Sequence, residues 1–236
     1  MFLGSFWQKT LVQKFLWTWQ ETRDYARLHP AREMQRIALE DTVAYIREHM
    51  PQALGYYTSR QVLDEALAHC AVEGGHHLEF GVYKGGSLRY LAKRIAPAEI
   101  HGFDSFEGLP EGWAGTYMGK GHFSVGGKLP RVPRNAKLHA GWFDDTLPRW
   151  LAEHEGPVRF LSIDSDLYSS AKTVLTLLAP RIQAGTVIVF DEYFNHPNWQ
   201  QAEFRAFQEF VAQHQVTYDY LCYARVQTAV KIRGIG

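Results

Sequence analysis

The chain has 236 residues, 46% of them hydrophobic and 14% aromatic, and its 25 basic and 25 acidic side chains give a formal net charge of zero. That length favours one domain, and the apolar content suffices for a sizeable core and excludes disorder as the main state. The even charge balance, without long runs of either sign, excludes the electrostatic footprint of a nucleic-acid binder. Cys70 and Cys222 stand outside any CxxC or Cys/His spacing, so neither a disulfide framework nor a structural zinc site is expected, and a cytoplasmic setting fits. No 18-residue apolar run offers a membrane span, and the first twenty residues lack a signal-peptide pattern.

Residues 1–55 read as a helical extension. Two segments, FWQKTLVQKFLWTW and REMQRIALEDTVAYIREHM, carry apolar residues at helical spacing. Trp7, Trp17 and Trp19 in the first suit packing on the main body or a subunit interface, so packing, lid or homodimer contacts are assigned to this extension. Residues 56–236 form the second unit. Here short β-rich runs alternate with helical ones: HLEFG, SLRYLAKRI, IHGFD, a glycine-rich loop, AKLHA, WFDDTLPRWLAEH, VRFLSID, SSAKTVLTLLAPRI, TVIVFDE and NWQQAEFRAFQEFVAQH. That rhythm predicts an α/β fold with a doubly wound, mostly parallel, Rossmann-like sheet. The final pair, QVTYDYLCYA and VQTAVKIRG, is too close for a helical crossover and predicts a terminal antiparallel hairpin.

In such sheets ligands sit beyond the carboxyl ends of the strands, so polar residues that end strands are the ones to weigh. The first run leads into LEFGVYKGGS, where Gly81, Gly85 and Gly86 allow close backbone approach to a ligand. This is not the dinucleotide fingerprint, because Tyr83 occupies the position of its second glycine. Glu79 would repel a diphosphate and suits a cationic group, such as the amino group of a methionine moiety. Asp104, followed by Ser105 in IHGFDS, is placed to accept both hydroxyls of a ribose. Acids also end the later strands: Asp164, with Asp166 two residues on, and the pair Asp191 and Glu192. Neighbouring strands bring these carboxylates together, and converging like charges require either raised pKa values or a cation. Hard oxygen ligands select magnesium, with Asp164, Asp191 and Glu192 as its ligands and Asp166 as a helix cap or supporting partner.

The strings LEFGVYKGGS, GFDSFEGLPEGW, GWFDDTLP, IDSDLYSS and the late DEY, in that order, resemble the macrocin O-methyltransferase family, a branch of the class I S-adenosylmethionine-dependent methyltransferases. The resemblance spans roughly residues 57–214. It implies a seven-stranded sheet, S-adenosylmethionine as cofactor, a divalent metal, usually magnesium, and methyl transfer to a hydroxyl of a small-molecule acceptor such as a sugar or secondary metabolite. One departure is that Glu192 follows Asp191 where many relatives carry two aspartates.

The resemblance further implies that Asp164 accepts the proton, and it marks Thr58 and Ser59 as cofactor-edge contacts. Lys84 and Ser87, in or just after the glycine turn, are assigned to the cofactor carboxylate, and Gly141, Trp142 and Phe143 to the adenine. Asp164, at the rim between the two halves, is counted with the cofactor contacts as well. His196, in FNHPNW, is a second candidate base. The loop from Glu107 to Arg134 is long for an unstructured connection and reads as a lid. Competing readings are a metal-independent methyltransferase, a nicotinamide-dependent oxidoreductase, which the glycine spacing disfavours, and a non-catalytic adenosyl-nucleoside binding subunit.

Overall fold

The apolar runs at the centre of the sheet become strands that bury both faces. In Val158–Ile163, for example, Leu161 and Ile163 pack into one apolar cluster while Phe160 packs into the other. The computed structural model describes residues 29–236. The segment carrying Trp7, Trp17 and Trp19 lies outside them. In chain order the elements are α1 (Pro30–His49), β1 (Leu54–Gly55), α2 (Ser59–Ala68), β2 (His76–Phe80), α3 (Gly86–Ile95), β3 (Ile100–Asp104) and β4 (Ala136–Ala140). There follow α4 (Phe143–Glu153), β5 (Val158–Ile163), α5 (Tyr168–Leu178), β6 (Val187–Phe190), α6 (Glu203–Gln213), β7 (Thr217–Tyr223) and β8 (Thr228–Gly234).

Eight strands form one sheet in the order β1-β7-β8-β6-β5-β2-β3-β4. All pairs are parallel except those of β8, which runs antiparallel to both β6 and β7. The mostly parallel α/β sheet and its terminal hairpin are those the sequence predicts. The eighth strand is an addition: Leu54–Gly55 is a two-residue edge strand beside β7, so residues before 56 contribute to the sheet. Helices α4, α5 and α6 cover one face and α2 and α3 the other, which makes a three-layer domain.

Helix α1 follows the second amphipathic segment closely. Pro30 sits in its first turn, His29 caps it by accepting from the Ala31 amide at 3.2 Å, and Met50 and Pro51 end it. It packs on the body: Ala38 and Met50 join the core, Tyr45 bonds Tyr220 (2.6 Å between hydroxyls), and Thr42 Oγ1 accepts from the Asn195 amide at 2.9 Å.

Register is what builds the rim. Phe80 pairs with Phe103 on one side and Ile163 on the other, and Ile163 pairs with Phe190. The next residues, Gly81, Asp104, Asp164 and Asp191, therefore emerge side by side at the carboxyl edge. Between β2 and β5 the chain direction of winding reverses, the place where open α/β sheets leave a crevice.

Candidate active site

A cavity of about 760 Å³ opens over this edge, within the range of roughly 300–1,000 Å³ usual for small-molecule sites. Gly81, Asp104 and Ser105 line one part with Trp142 and Phe143, while Asp164, Asp166, Asp191 and Glu192 line another. The glycine turn and the acids, far apart in sequence, thus share one space.

Gly81 is required where it stands. Its φ is +94°, and a Cβ built there would lie 1.7 Å from the carbonyl oxygen of Asp164, so only glycine lets the turn pass the neighbouring strand end. Below it Glu79 is 0% exposed. Its Oε1 accepts from Ser87 Oγ at 2.6 Å, and Oε2 is buried without a hydrogen-bond partner. Burial pushes the Glu79 carboxyl up to about 8; the Ser87 hydroxyl opposes this, and the charges of Asp191 and Asp104 add to it. A buried acceptor with no donor suits a ligand that brings one, as an ammonium does.

Asp104 is heavily engaged. Its Oδ2 accepts the amides of Val82 (2.7 Å) and Tyr83 (2.6 Å), and its Oδ1 accepts that of Phe106 (2.6 Å). The carboxylate expected to hold a ribose therefore also ties the glycine turn to the start of the long loop. Tyr83 and Phe106 both take left-handed φ values, +50° and +57°, which these bonds help to hold.

The acid half is electrostatically tense. Burial, then the charge of Asp191, then those of Asp166, Glu203 and Glu79, raise the Asp164 carboxyl well above the usual range. Burial with Asp191 and Asp104 lifts Asp166 to about 7, and burial with Asp191 and Asp166 lifts Glu192 to about 8. Asp191 is raised by burial and lowered by the side-chain amide of Gln227, which donates to its Oδ1. Among the described residues no group of three or more His, Cys, Asp or Glu side chains is placed to hold a metal ion. Asp164, Asp191 and Glu192 line one cavity but do not fit magnesium as they stand, in part because one Asp191 oxygen is taken by Gln227.

Other expected residues have local work. Thr58 is the N-cap of α2 and forms a capping box with Gln61, and Ser59 opens the helix; neither lines the cavity. The Lys84 ammonium lies 4.7 Å from the centre of the Tyr83 ring, outside the cavity wall. Gly141, at the end of β4, turns the chain into α4, and the following Trp142 and Phe143 form wall; Phe143 meets Phe80 edge to face at 5.2 Å. His196 has both ring nitrogens at backbone carbonyls, 3.2 Å from those of Pro197 and Glu192, and burial lowers its pKa. It is not part of the cavity wall, whereas Asp164 is. Asp166 does not cap α5: Leu167 holds that position, and Asp166, at φ +63°, faces the cavity.

The loop between β3 and β4 has no helix or strand of its own, yet it is internally bonded. Leu109 and His122 pair through main chain at 2.9 Å, as do Trp113 and Met118. Leu109, Trp113 and Met118 pack on Leu167 as a small separate core. Leu109, Glu111, Lys120 and Phe123 from this loop form cavity wall, in keeping with a lid.

Glu203 was not among the expected residues. It is 0% exposed at the start of α6, and it accepts hydrogen bonds from both acid-bearing loops.

Residues 78–193 match the family described as a methyltransferase domain. Two curated relatives come from Streptomyces. One, from Streptomyces olivaceus, is 8-demethyl-8-(2,3-dimethoxy-alpha-L-rhamnosyl)-tetracenomycin-C 4'-O-methyltransferase, 28% identical over 144 residues, covering 50% of this chain and 53% of the relative. The other, from Streptomyces niveus, is demethyldecarbamoylnovobiocin O-methyltransferase, 27% identical over 159 residues, covering 56% and 58%. The chain spans little more than half the length of these relatives. Among solved structures, a calicheamicin methyltransferase superposes with TM-score 0.61 at 22% identity, over 85% of this chain and 91% of that one. The O-methyltransferase NovP superposes with TM-score 0.56 at 22% identity, over 74% and 77%. Residues 78–193, just under half of the chain, are thus similar to a methyltransferase domain, on a mostly parallel α/β sheet of the kind these methyltransferase structures share.

Proposed function

We propose that this protein transfers a methyl group from S-adenosylmethionine to a hydroxyl of a small molecule, with a sugar carried by a natural product as the acceptor. The observation that carries the reading is that the glycine turn with Asp104 and the acids led by Asp164 open on one cavity. A cofactor and an acceptor can then meet there without either crossing the protein. The relatives named for a rhamnosylated tetracenomycin and for a novobiocin precursor support the sugar. The closer kinship to macrocin O-methyltransferases belongs to the same proposal.

The cofactor supplies a methyl group on a positively charged sulfur. Glu79 attracts the ammonium of its amino-acid end, Asp104 and Ser105 face the ribose, and Trp142 with Phe143 border the adenine. The acceptor oxygen attacks the methyl carbon, the carbon–sulfur bond breaks, and the hydroxyl proton passes to Asp164. Burial and neighbouring carboxylates raise the proton affinity of Asp164, as a base working near neutral pH requires. The lid excludes water and holds the acceptor in line, the main source of rate in such a displacement. The sequence also points to magnesium on Asp164, Asp191 and Glu192. As they stand, these side chains form no metal-holding group among the described residues, and no step is assigned to an ion.

The test is calorimetry with S-adenosylmethionine, followed by methyl transfer to 4-nitrophenyl α-L-rhamnoside and to a panel of aryl glycosides, each with magnesium and with EDTA. Binding and a methylated sugar hydroxyl are expected. Absence of cofactor binding refutes the reading, and turnover abolished by EDTA and restored by magnesium would assign the acids to a metal. Light scattering of the full chain tests the homodimer.

A further inference from the structure

The loops after β5 and β6 carry Asp164, Asp166, Asp191 and Glu192 at the cavity, and a fifth carboxylate, outside the cavity wall, lies against both. Glu203, the first residue of α6, points between the two loops that carry the others. Its Oε1 accepts from the Ser165 amide (3.0 Å), the Asp166 amide (3.2 Å) and the Ser165 hydroxyl (3.3 Å). Its Oε2 accepts from the Glu192 amide (3.2 Å). The first three donors follow β5 and the fourth follows β6. A single side chain therefore bridges the loop of Asp164 and Asp166 to the loop of Asp191 and Glu192.

Burying a carboxyl without a cation is costly, typically several kcal/mol before compensation. No lysine or arginine pairs with Glu203 among the described residues. Burial and the charges of Asp166 and Asp191 push the Glu203 carboxyl above its ordinary range, while the amides of Ser165 and Glu192 oppose this; the four neighbours are placed as donors to a side chain that offers an acceptor on each branch. The positive end of α6 acts in the same sense as those amides. Glutamine has the same length but would turn an NH₂ against one set of amides. Aspartate keeps the carboxyl but is a methylene too short to reach both loops.

We propose that Glu203 is a positioning residue, which locks the two acid-bearing loops in register so that Asp164 and Asp191 present their carboxylates to one acceptor hydroxyl. This rests on the methyl-transfer reading above. The bond to the Asp166 amide also holds the left-handed turn at that residue, and with it the way the loop enters α5. Misplacement of a reacting group by about 1 Å is enough to lower a rate by about 100-fold. Loss of the bridge therefore acts on kcat more than on cofactor binding, because the glycine turn and Asp104 lie across β2 and β3.

The experiment uses the full chain as wild type, Glu203→Gln and Glu203→Asp. Three quantities are read: hydrogen exchange of segments 164–167 and 191–194 against 76–104, the dissociation constant of S-adenosylmethionine, and kcat and KM with 4-nitrophenyl α-L-rhamnoside. Both variants are expected to exchange faster in both loops together, to bind the cofactor within about twofold of wild type, and to lose about 10- to 100-fold in kcat. Recovery of kcat in Glu203→Asp would overturn the proposal in favour of the carboxyl group alone. Unchanged exchange and kcat in a folded Glu203→Gln would also overturn it. Should Glu203→Gln fail to fold, Glu203→Asp decides the same point by exchange in both loops, 164–167 and 191–194, which must loosen together. A wild type that binds no cofactor refutes the methyl-transfer reading instead, while the exchange response still decides the bridge.

Discussion

Acid should weaken this fold through two buried histidines that lie outside the wall of the acid-bearing cavity. His101 on β3 is 5% exposed, and burial, with the neighbouring His139, His154, His76 and Lys137, lowers its pKa to about 3. His77 on β2 is lowered to about 4 by burial and by Arg159. Both are neutral in the folded protein at pH 5, whereas in the unfolded chain they titrate near 6.5. The unfolded state then binds more protons, so the stability these groups contribute is fully present above pH 6.5 and is lost as pH falls toward 4 and 3. Between pH 6.5 and 5 each loses 1.5 pH units at about 1.4 kcal/mol per unit, or about 2 kcal/mol each and about 4 together. That is a large part of a typical stability of 5–15 kcal/mol. The assay is urea unfolding at pH 7 and pH 5 for chains without and with His101→Phe, compared as differences between the two pH values. Both chains carry His139→Phe in addition, because His139 lies 3.1 Å from His101 and its own pKa is lowered by burial, so its titration would not cancel between the two pH values. The chain that keeps His101 should lose about 2 kcal/mol more than the His101→Phe chain; equal losses would refute the reasoning.

Three further outcomes follow from the rim. Gly81→Ala should destabilise the protein by about 2–5 kcal/mol and abolish binding of S-adenosylmethionine in calorimetry, because the new methyl collides with the Asp164 carbonyl and the left-handed φ is strained. Asp164→Asn should lower kcat by about 10²–10⁴ with cofactor affinity within a few-fold of wild type, as expected for a removed base; a change in affinity alone would contradict that role. Asp104→Asn should weaken cofactor affinity about tenfold or more, since its amide leaves an N–H of Val82, Tyr83 or Phe106 facing a donor, at about 1–3 kcal/mol.

The rim was legible because each strand announces its own end. LEFG, GFD, SID and VFDE are apolar runs closed by a glycine or an acid, and parallel pairing then sets those ends beside one another. The terminal hairpin was legible from the shortness of its turn. Thr58 shows the limit of position alone: it sits near the expected cofactor edge, but the T-x-x-Q spacing that makes it a cap is the stronger local signal. Asp166 was read as a cap or a supporting partner, and of these the cap fails. An acid before a helix suggests a cap, yet the left-handed turn moves the cap to Leu167 and frees the carboxyl for the cavity. Glu203 was hidden, since in QAEFRAFQEF it looks like a first-turn acid of an amphipathic helix. Its burial depends on which loops pack over α6, and that is a tertiary fact.

The lid's small core has a consequence for the shape of the cavity. Leu109, Trp113 and Met118 pack on Leu167, Trp113 also meets His196 edge to face at 5.6 Å, and several of the loop's main-chain bonds close within it. This part of the cavity wall therefore has a small core of its own at the start of α5, while Val125 and Val132 anchor the later part of the loop to the main core. A change inside that small core would reshape the roof of the cavity and leave the strand ends that form its floor in their alignment.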